Sequence, residues 1–244
     1  MITVYGATDT GLARKINQDR FCCEVLSDSL AYAVLCDGMG GPAGGHVASQ
    51  TAADFVKDML ERDLKPDMPE QSLRAVMLSA AAGANAMVYD AAKKDPELAG
   101  MGTTMILAVF SGEHIFAAHA GDSRIYRIED GKAVRLTKDH TVVQMLLDIG
   151  EITEEEAKDH PKRHFITRAV GVGPAVDADF SEYPFLPGAP ILICSDGLYN
   201  YVEEDTLPGL VARALGEKSA APLIDLANEG GGGDNITAVI VLRE

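Results

Sequence analysis

The chain has 244 residues, enough to bury a full core as one domain, and its 47% hydrophobic and 24% charged residues are ordinary for a globular protein. It carries 37 Asp+Glu against 21 Lys+Arg, a formal charge of −16, so nucleic acid, which needs a basic face to displace its counterions, is excluded as an expected partner. No apolar run approaches the roughly 18 residues of a membrane span, and Met1-Ile2-Thr3-Val4-Tyr5-Gly6 lacks the build of a signal peptide, so a cytoplasmic protein without membrane insertion is expected.

Short apolar strands are predicted over 2–7, 20–26 and 30–36. Cys22 and Cys23 are neighbours in the second, while Cys36 and Cys194 end apolar runs. No C-x-x-C pair occurs, so all four read as small apolar side chains in a reducing compartment. Two amphipathic helices follow. From Gly45 to about Leu64, Ala48, Ala52, Phe55, Val56, Met59 and Leu60 recur at helical spacing. From Pro69 to about Lys94 the stripe is Leu73, Val76, Met77, Ala80, Ala84, Met87, Val88 and Ala91.

Strands are predicted next at 103–110, 114–120 and 124–128, punctuated by Gly112-Glu113 and Gly121-Asp122. A short helix fits 141–149, and Thr153-Glu154-Glu155-Glu156 has the spacing of a capping box that opens another. Strands return at 177–183 and 190–195, then helices at 204–215 and 219–229, and a last strand at 235–242. No linker, repeat or low-complexity tract interrupts this order, so residues 1–244 are expected to form one domain. Hairpin-like runs of strands with helices grouped between them predict an α+β fold of antiparallel sheet with helices packed outside. The near-continuous apolar runs 30–36 and 190–194 predict sheets covered on both faces.

Three segments share one design, an aspartate set in a tight bend after an apolar strand or a glycine-rich turn. They are Leu35-Cys36-Asp37-Gly38, Cys194-Ser195-Asp196-Gly197 and Gly232-Gly233-Asp234-Asn235, with Ala120-Gly121-Asp122-Ser123 a close relative. A single Asp-Gly is ordinarily just a turn. A carboxylate at the end of a buried strand is costly unless it is paired or binds a metal, and repetition of the pattern favours the second use. Oxygen ligands without His or Cys partners suit Mg2+ or Mn2+. Two such ions generate a nucleophile at neutral pH and clamp a phosphoryl displacement.

Read in order, Arg14-Lys15-Ile16-Asn17-Gln18-Asp19, Cys36-Asp37-Gly38-Met39-Gly40-Gly41, Met101-Gly102-Thr103-Thr104, Gly121-Asp122-Ser123-Arg124, Ser195-Asp196-Gly197-Leu198 and Gly233-Asp234-Asn235-Ile236-Thr237 resemble the type-2C metal-dependent serine/threonine protein phosphatases. The compact bacterial branch, which opposes eukaryote-like serine/threonine kinases, is the nearest pattern. Each motif alone is weak, but six in this order are specific. The resemblance implies two stacked antiparallel sheets flanked by helix pairs, an αββα sandwich with the metals in a cleft at one end. It implies that Asp37 bridges two Mn2+ or Mg2+ ions, that Gly38 ligates one through its carbonyl, and that Asp196 and Asp234 complete the second site. Asp19 would act through metal-bound water, and Asp122 with Asp196 would hold a weaker third ion. Arg14 would grip the substrate phosphate, and Asn235 would support Asp234. The implied reaction is hydrolysis of phosphoserine and phosphothreonine in proteins by a metal-bridged hydroxide, in a signalling enzyme expected to be a monomer. Its partners would be phosphoproteins, a serine/threonine kinase among them.

Some positions depart from that pattern. Pro42 and His46 stand where the bacterial branch has His and Gly-Glu. Met39 occupies the place of a proposed general-acid histidine in animal relatives and cannot donate a proton. His164-Phe165 replaces the usual Asn-Val or Asn-Leu before Ile166. Two other readings compete: an inactive phosphatase-like binding domain, which should have lost an aspartate, and a small-molecule phosphatase. A dinucleotide fingerprint at Gly38-Met39-Gly40-Gly41-Pro42-Ala43 fails because no βαβ unit follows. One further anomaly is the basic stretch Lys158, His160, Lys162, Arg163, His164 and Arg168, dense for so acidic a chain. It is either a solvated loop or a lure for phosphopeptides that the acidic body repels.

Overall fold

The computed structural model describes residues 1–244, except for the side chains of residues 42 and 43, so Pro42 lies outside the described side chains. Eleven strands form two antiparallel sheets. The first holds β1 (Ile2–Asp9), β11 (Ile236–Arg243), β10 (Ile191–Cys194), β7 (Arg124–Glu129) and β8 (Lys132–Arg135), in that order. The second runs β2 (Asp19–Ser27), β3 (Leu30–Met39), β5 (Met105–Ser111), β6 (His114–Ala120) and β9 (Asp179–Pro184), with the two-residue β4 (Gly102–Thr103) hooked onto β3.

Strand alternation sorts the apolar side chains into layers. In β3, Leu30, Tyr32, Val34 and Cys36 face the long helices α1 (Gly41–Asp63) and α2 (Glu70–Lys94). The intervening Ala31, Ala33 and Leu35 face the other sheet. In β10, Leu192 and Cys194 pack toward α6 (Leu207–Glu217) and α7 (Ala221–Glu229), while Ile191 and Ile193 enter the layer between the sheets. Both strands are buried on both faces, as their continuous apolar runs predict. The result is the expected four-layer αββα sandwich with three apolar layers.

Three local differences from the sequence reading matter. Strand β3 continues through Asp37 to Met39 instead of stopping at 36, because β4 pairs Gly38 with Thr103 and Met39 with Gly102. Helix α1 begins at Gly41, four residues before Gly45. Residues 196–199 form a single helical turn, α5 (Asp196–Tyr199), where only a bend is predicted. Between β8 and β9 a flap carries α3 (Val142–Asp148), capped by Thr141, and α4 (Glu154–Lys158), which opens with the predicted capping box of Thr153 and Glu156. The stems of this flap pair through Thr141 and Ile166.

Candidate metal centre

Strand register gathers the aspartates. In the second sheet Asp19 pairs with Asp37, and the neighbouring strands carry Thr104 alongside: its amide donates to the Asp37 carbonyl (2.8 Å) and its Oγ1 accepts from the Asp37 amide (2.9 Å). Met105 pairs with Ala120, so the Gly121-Asp122 turn comes next in the same row. In the first sheet Cys194 pairs with Arg124 on one side and Ala238 on the other. That register sets the 121–123 turn, the start of α5 and the 234–236 segment side by side. Both rows lie at one end of the sandwich, where Asp37, Gly38, Asp122, Asp196, Asp234, Asn235 and Arg14 line a cleft of about 530 Å³.

Gly38 is required by close packing. A Cβ there would strike the Gly45 carbonyl, so no other residue lets the start of α1 lie against the strand beside Asp37.

Asp19 is fully buried (0% exposed), and its Oδ2 accepts from Ser195 Oγ (2.7 Å) and Thr237 Oγ1 (2.6 Å). Its Oδ1 has no partner among the described residues. Burial, opposed by the two hydroxyls, pushes this carboxyl up to about 6. Asp37 is held well above the carboxylate range by burial first, then by Asp19, Asp196, Asp122 and Asp234. Asp196 rises by burial and by Asp122, Asp234 and Asp19, and Asp122 goes up to about 6 through burial and Asp139. Burial and neighbouring carboxylates thus raise the proton affinity of Asp19, Asp37, Asp122 and Asp196, and the charge of Asp234 adds to the effect on each. Among the described residues the one cation lining the cleft with an ion pair to any of these aspartates is Arg14, 52% exposed, whose Nη2 bonds Asp234 Oδ2 at 2.8 Å.

Such a cluster is stable when cations neutralise it. All the side-chain donors are hard oxygens, and a buried carboxylate oxygen lacks a partner, so the residues present fit Mg2+ or Mn2+. Among the described residues no three acidic, His or Cys side chains close on one point as a finished cage. An ion here would therefore draw part of its shell from water, which suits small cations that shed water reluctantly.

The structure brings together every acidic residue singled out from the sequence. Asn235 meets Asp234 through its backbone N–H, which donates to Asp234 Oδ1 (2.8 Å), while its side-chain amide is engaged elsewhere. Arg14 meets Asp234 as well as facing the cleft. His46 is turned to Arg20 (Nη2 to Nδ1, 2.7 Å) and does not line the cleft, whereas Met39 and His164 do. The hydroxyls of Ser195 and Thr237 were missed as site residues. Their signal was strand parity, since each continues the inward-facing alternation of its strand to the end that holds Asp19.

A family model for protein phosphatase 2C matches residues 13–223. The chain belongs to this family. As a protein phosphatase 2C it is 38% identical over 233 residues to the serine/threonine protein phosphatase PstP of Mycobacterium tuberculosis, covering 96% of this chain and 43% of that relative. The chain thus spans less than half the length of those relatives. With the serine/threonine phosphatase stp of Listeria monocytogenes the identity is 34% over 239 residues, 97% of this chain and 94% of the relative. The solved S. agalactiae serine/threonine phosphatase superposes with a TM-score of 0.88 at 32% identity and covers 100% of both chains. The catalytic domain of PstP in complex with two manganese ions superposes at 0.85 with 34% identity, covering 98% of this chain and 97% of that one. Metal dependence is a general property of the family.

Proposed function

We propose that this chain is an active metal-dependent phosphatase of phosphoserine and phosphothreonine in proteins, its 244 residues forming one catalytic domain. The observation that carries the reading is the gathering of Asp37, Asp122, Asp196 and Asp234 on a single cleft with the buried Asp19 paired to Asp37 behind it, mutual repulsion holding Asp37 and Asp196 well above the carboxylate range. An inactive binding domain has no use for so costly a cluster. In this reading Asp37 would serve two divalent ions, Gly38 would contribute its carbonyl, and Asp196 and Asp234 would hold the second ion. Asp19 would act through water, and Asp122 with Asp196 would hold a weaker third. When bound, the ions generate the nucleophile from water at neutral pH and neutralise the transferring phosphoryl group.

The chain's own residues do the rest. Arg14, on the rim, offers its planar guanidinium to the phosphate oxygens. Ser195 and Thr237 hold one oxygen of Asp19, and the other has no hydrogen-bond partner among the described residues. Met39 cannot protonate the leaving group, and His46 is engaged with Arg20, so that proton comes from another source. The partners in this reading are phosphoproteins, including a serine/threonine kinase, met in the cytoplasm by a monomer. No helix among the described residues is long and apolar enough to cross a membrane.

The test is turnover of a phosphothreonine peptide and of a generic aryl phosphate with and without Mn2+. Turnover of both that requires the metal is expected. No turnover of either contradicts an active enzyme, and turnover confined to the aryl phosphate favours a small-molecule phosphatase.

A further inference from the structure

The segment from Thr10 to Gln18 lies at the edge of the cleft without regular secondary structure, and Arg14 sits at its middle. One side chain from the far end of the sequence bonds this segment at three places. Asn235 is 5% exposed, and its amide makes three hydrogen bonds, all to the backbone of that segment. Its Oδ1 accepts from the Gln18 amide (2.7 Å), and its Nδ2 donates to the carbonyls of Thr10 (2.8 Å) and Ile16 (3.1 Å). The segment is held at a second point by Gly232, whose carbonyl accepts from the amides of Leu12 (2.7 Å) and Ala13 (3.2 Å). Between these points Gly11 has φ +75°, and a Cβ there would strike the Asp234 carbonyl. Nothing of the Asn235 amide is directed at the Asp234 carboxylate.

An amide is the one side chain that fits these partners at this reach. It presents an acceptor to an N–H and two donors to two carbonyls. Aspartate would set oxygen against both carbonyls, and alanine would leave three partly buried backbone groups without this partner. Arg14 is long and half-exposed, so where its guanidinium falls depends on where its backbone is held. We propose that Asn235 is a positioning residue for Arg14: its amide closes the 10–18 segment so that the guanidinium stands over the cleft. The proposal rests on the reading of Arg14 as the phosphate-binding group.

The test is a double-mutant cycle of Asn235→Ala and Arg14→Ala. Three quantities are measured for each variant: KM on a phosphothreonine peptide, Ki of inorganic phosphate, and Mn2+ affinity by calorimetry. Each single variant should raise KM and Ki by roughly fivefold or more, in line with loss of a charge-assisted or buried hydrogen bond. Manganese affinity should stay within about twofold, and Asn235→Ala should add less than about twofold in the Arg14→Ala background. Losses that multiply, or manganese binding weakened as by Asp234→Asn, overturn the proposal. Arg14→Ala without effect on KM or Ki overturns the reading of Arg14 itself and the proposal with it, a result distinct from multiplying losses. Should Asn235→Ala fold poorly, Asn17→Ala loosens the same segment by releasing Thr8 Oγ1 (2.9 Å) and the Asp19 amide (3.0 Å), with manganese affinity again measured beside KM. Its smaller rise in KM should also vanish without Arg14, and persistence overturns the proposal.

Discussion

Between the two sheets the same strands build two different ends. Over most of the layer the inward positions are Ala31, Ala33 and Leu35 of β3, Ile191 and Ile193 of β10, and Val239 and Val241 of β11. One alternation further along each strand, the inward positions become Asp37, Ser195 and Thr237, with Asp19 facing them from β2. Backbone geometry is shared, so the contrast isolates what side chains do. The apolar end closes by burial and dispersion, contributing stability in proportion to the area removed from water. The polar end cannot close, because its carboxylates repel and retain a need for water or cations. A cleft is what remains. Stability and function occupy opposite ends of one layer.

The contrast breaks first at Asp37. Replacement of Asp37 by Asn should lower kcat by at least ~10³-fold, about 4 kcal/mol of barrier, because a neutral amide is a poor ligand for the divalent cations proposed here. More than a tenth of wild-type turnover at saturating Mn2+ would contradict the assignment. The same change should leave the metal-free protein as stable as wild type or more so, since it removes one of the repelling carboxyls. At the apolar end the expectation inverts. Ile193→Ala should cost roughly 3 kcal/mol of unfolding free energy through the cavity it leaves, measured by urea denaturation. Turnover below the melting range should be nearly unchanged, and a large fall in kcat would show that the two ends are not separable.

A smaller effect is expected outside the layer, on the flap. Lys162 and Arg163 are exposed next to His164, which lines the cleft. Lys162→Glu with Arg163→Glu should lower kcat/KM several-fold on acidic phosphopeptides at low salt, and much less on an aryl phosphate. Equal losses on both substrates, or a loss indifferent to salt, would mean that the flap supports the site structurally.

How much of this was legible in the sequence follows from which contacts are local. Both amphipathic helices and the doubly buried β3 and β10 announce themselves by apolar spacing, and the αββα layering was expected. Strand β8 escaped because Lys132-Ala133-Val134-Arg135 is a short edge with one polar residue at each end. The extension of β3 through Asp37 depends on a pairing with Gly102 and Thr103, residues remote in sequence. The aspartates could be picked out one by one, but their meeting is a matter of register across two sheets, which single-strand patterns do not encode. Asn235 shows the limit best. Its place beside Asp234 suggested support for that carboxylate, whereas its amide partners lie more than two hundred residues away.

If the polar end of the inter-sheet layer is a divalent-metal centre, Mn2+ must stabilise the folded chain, which thermal unfolding with and without the ion measures. In wild type, Mn2+ at about 100-fold over its dissociation constant should stabilise the fold by about 2.7 kcal/mol per site, a rise of several degrees in Tm. In Asp37→Asn most of that rise should disappear. An equal rise in both proteins, or none in wild type, would contradict a metal centre built on these aspartates.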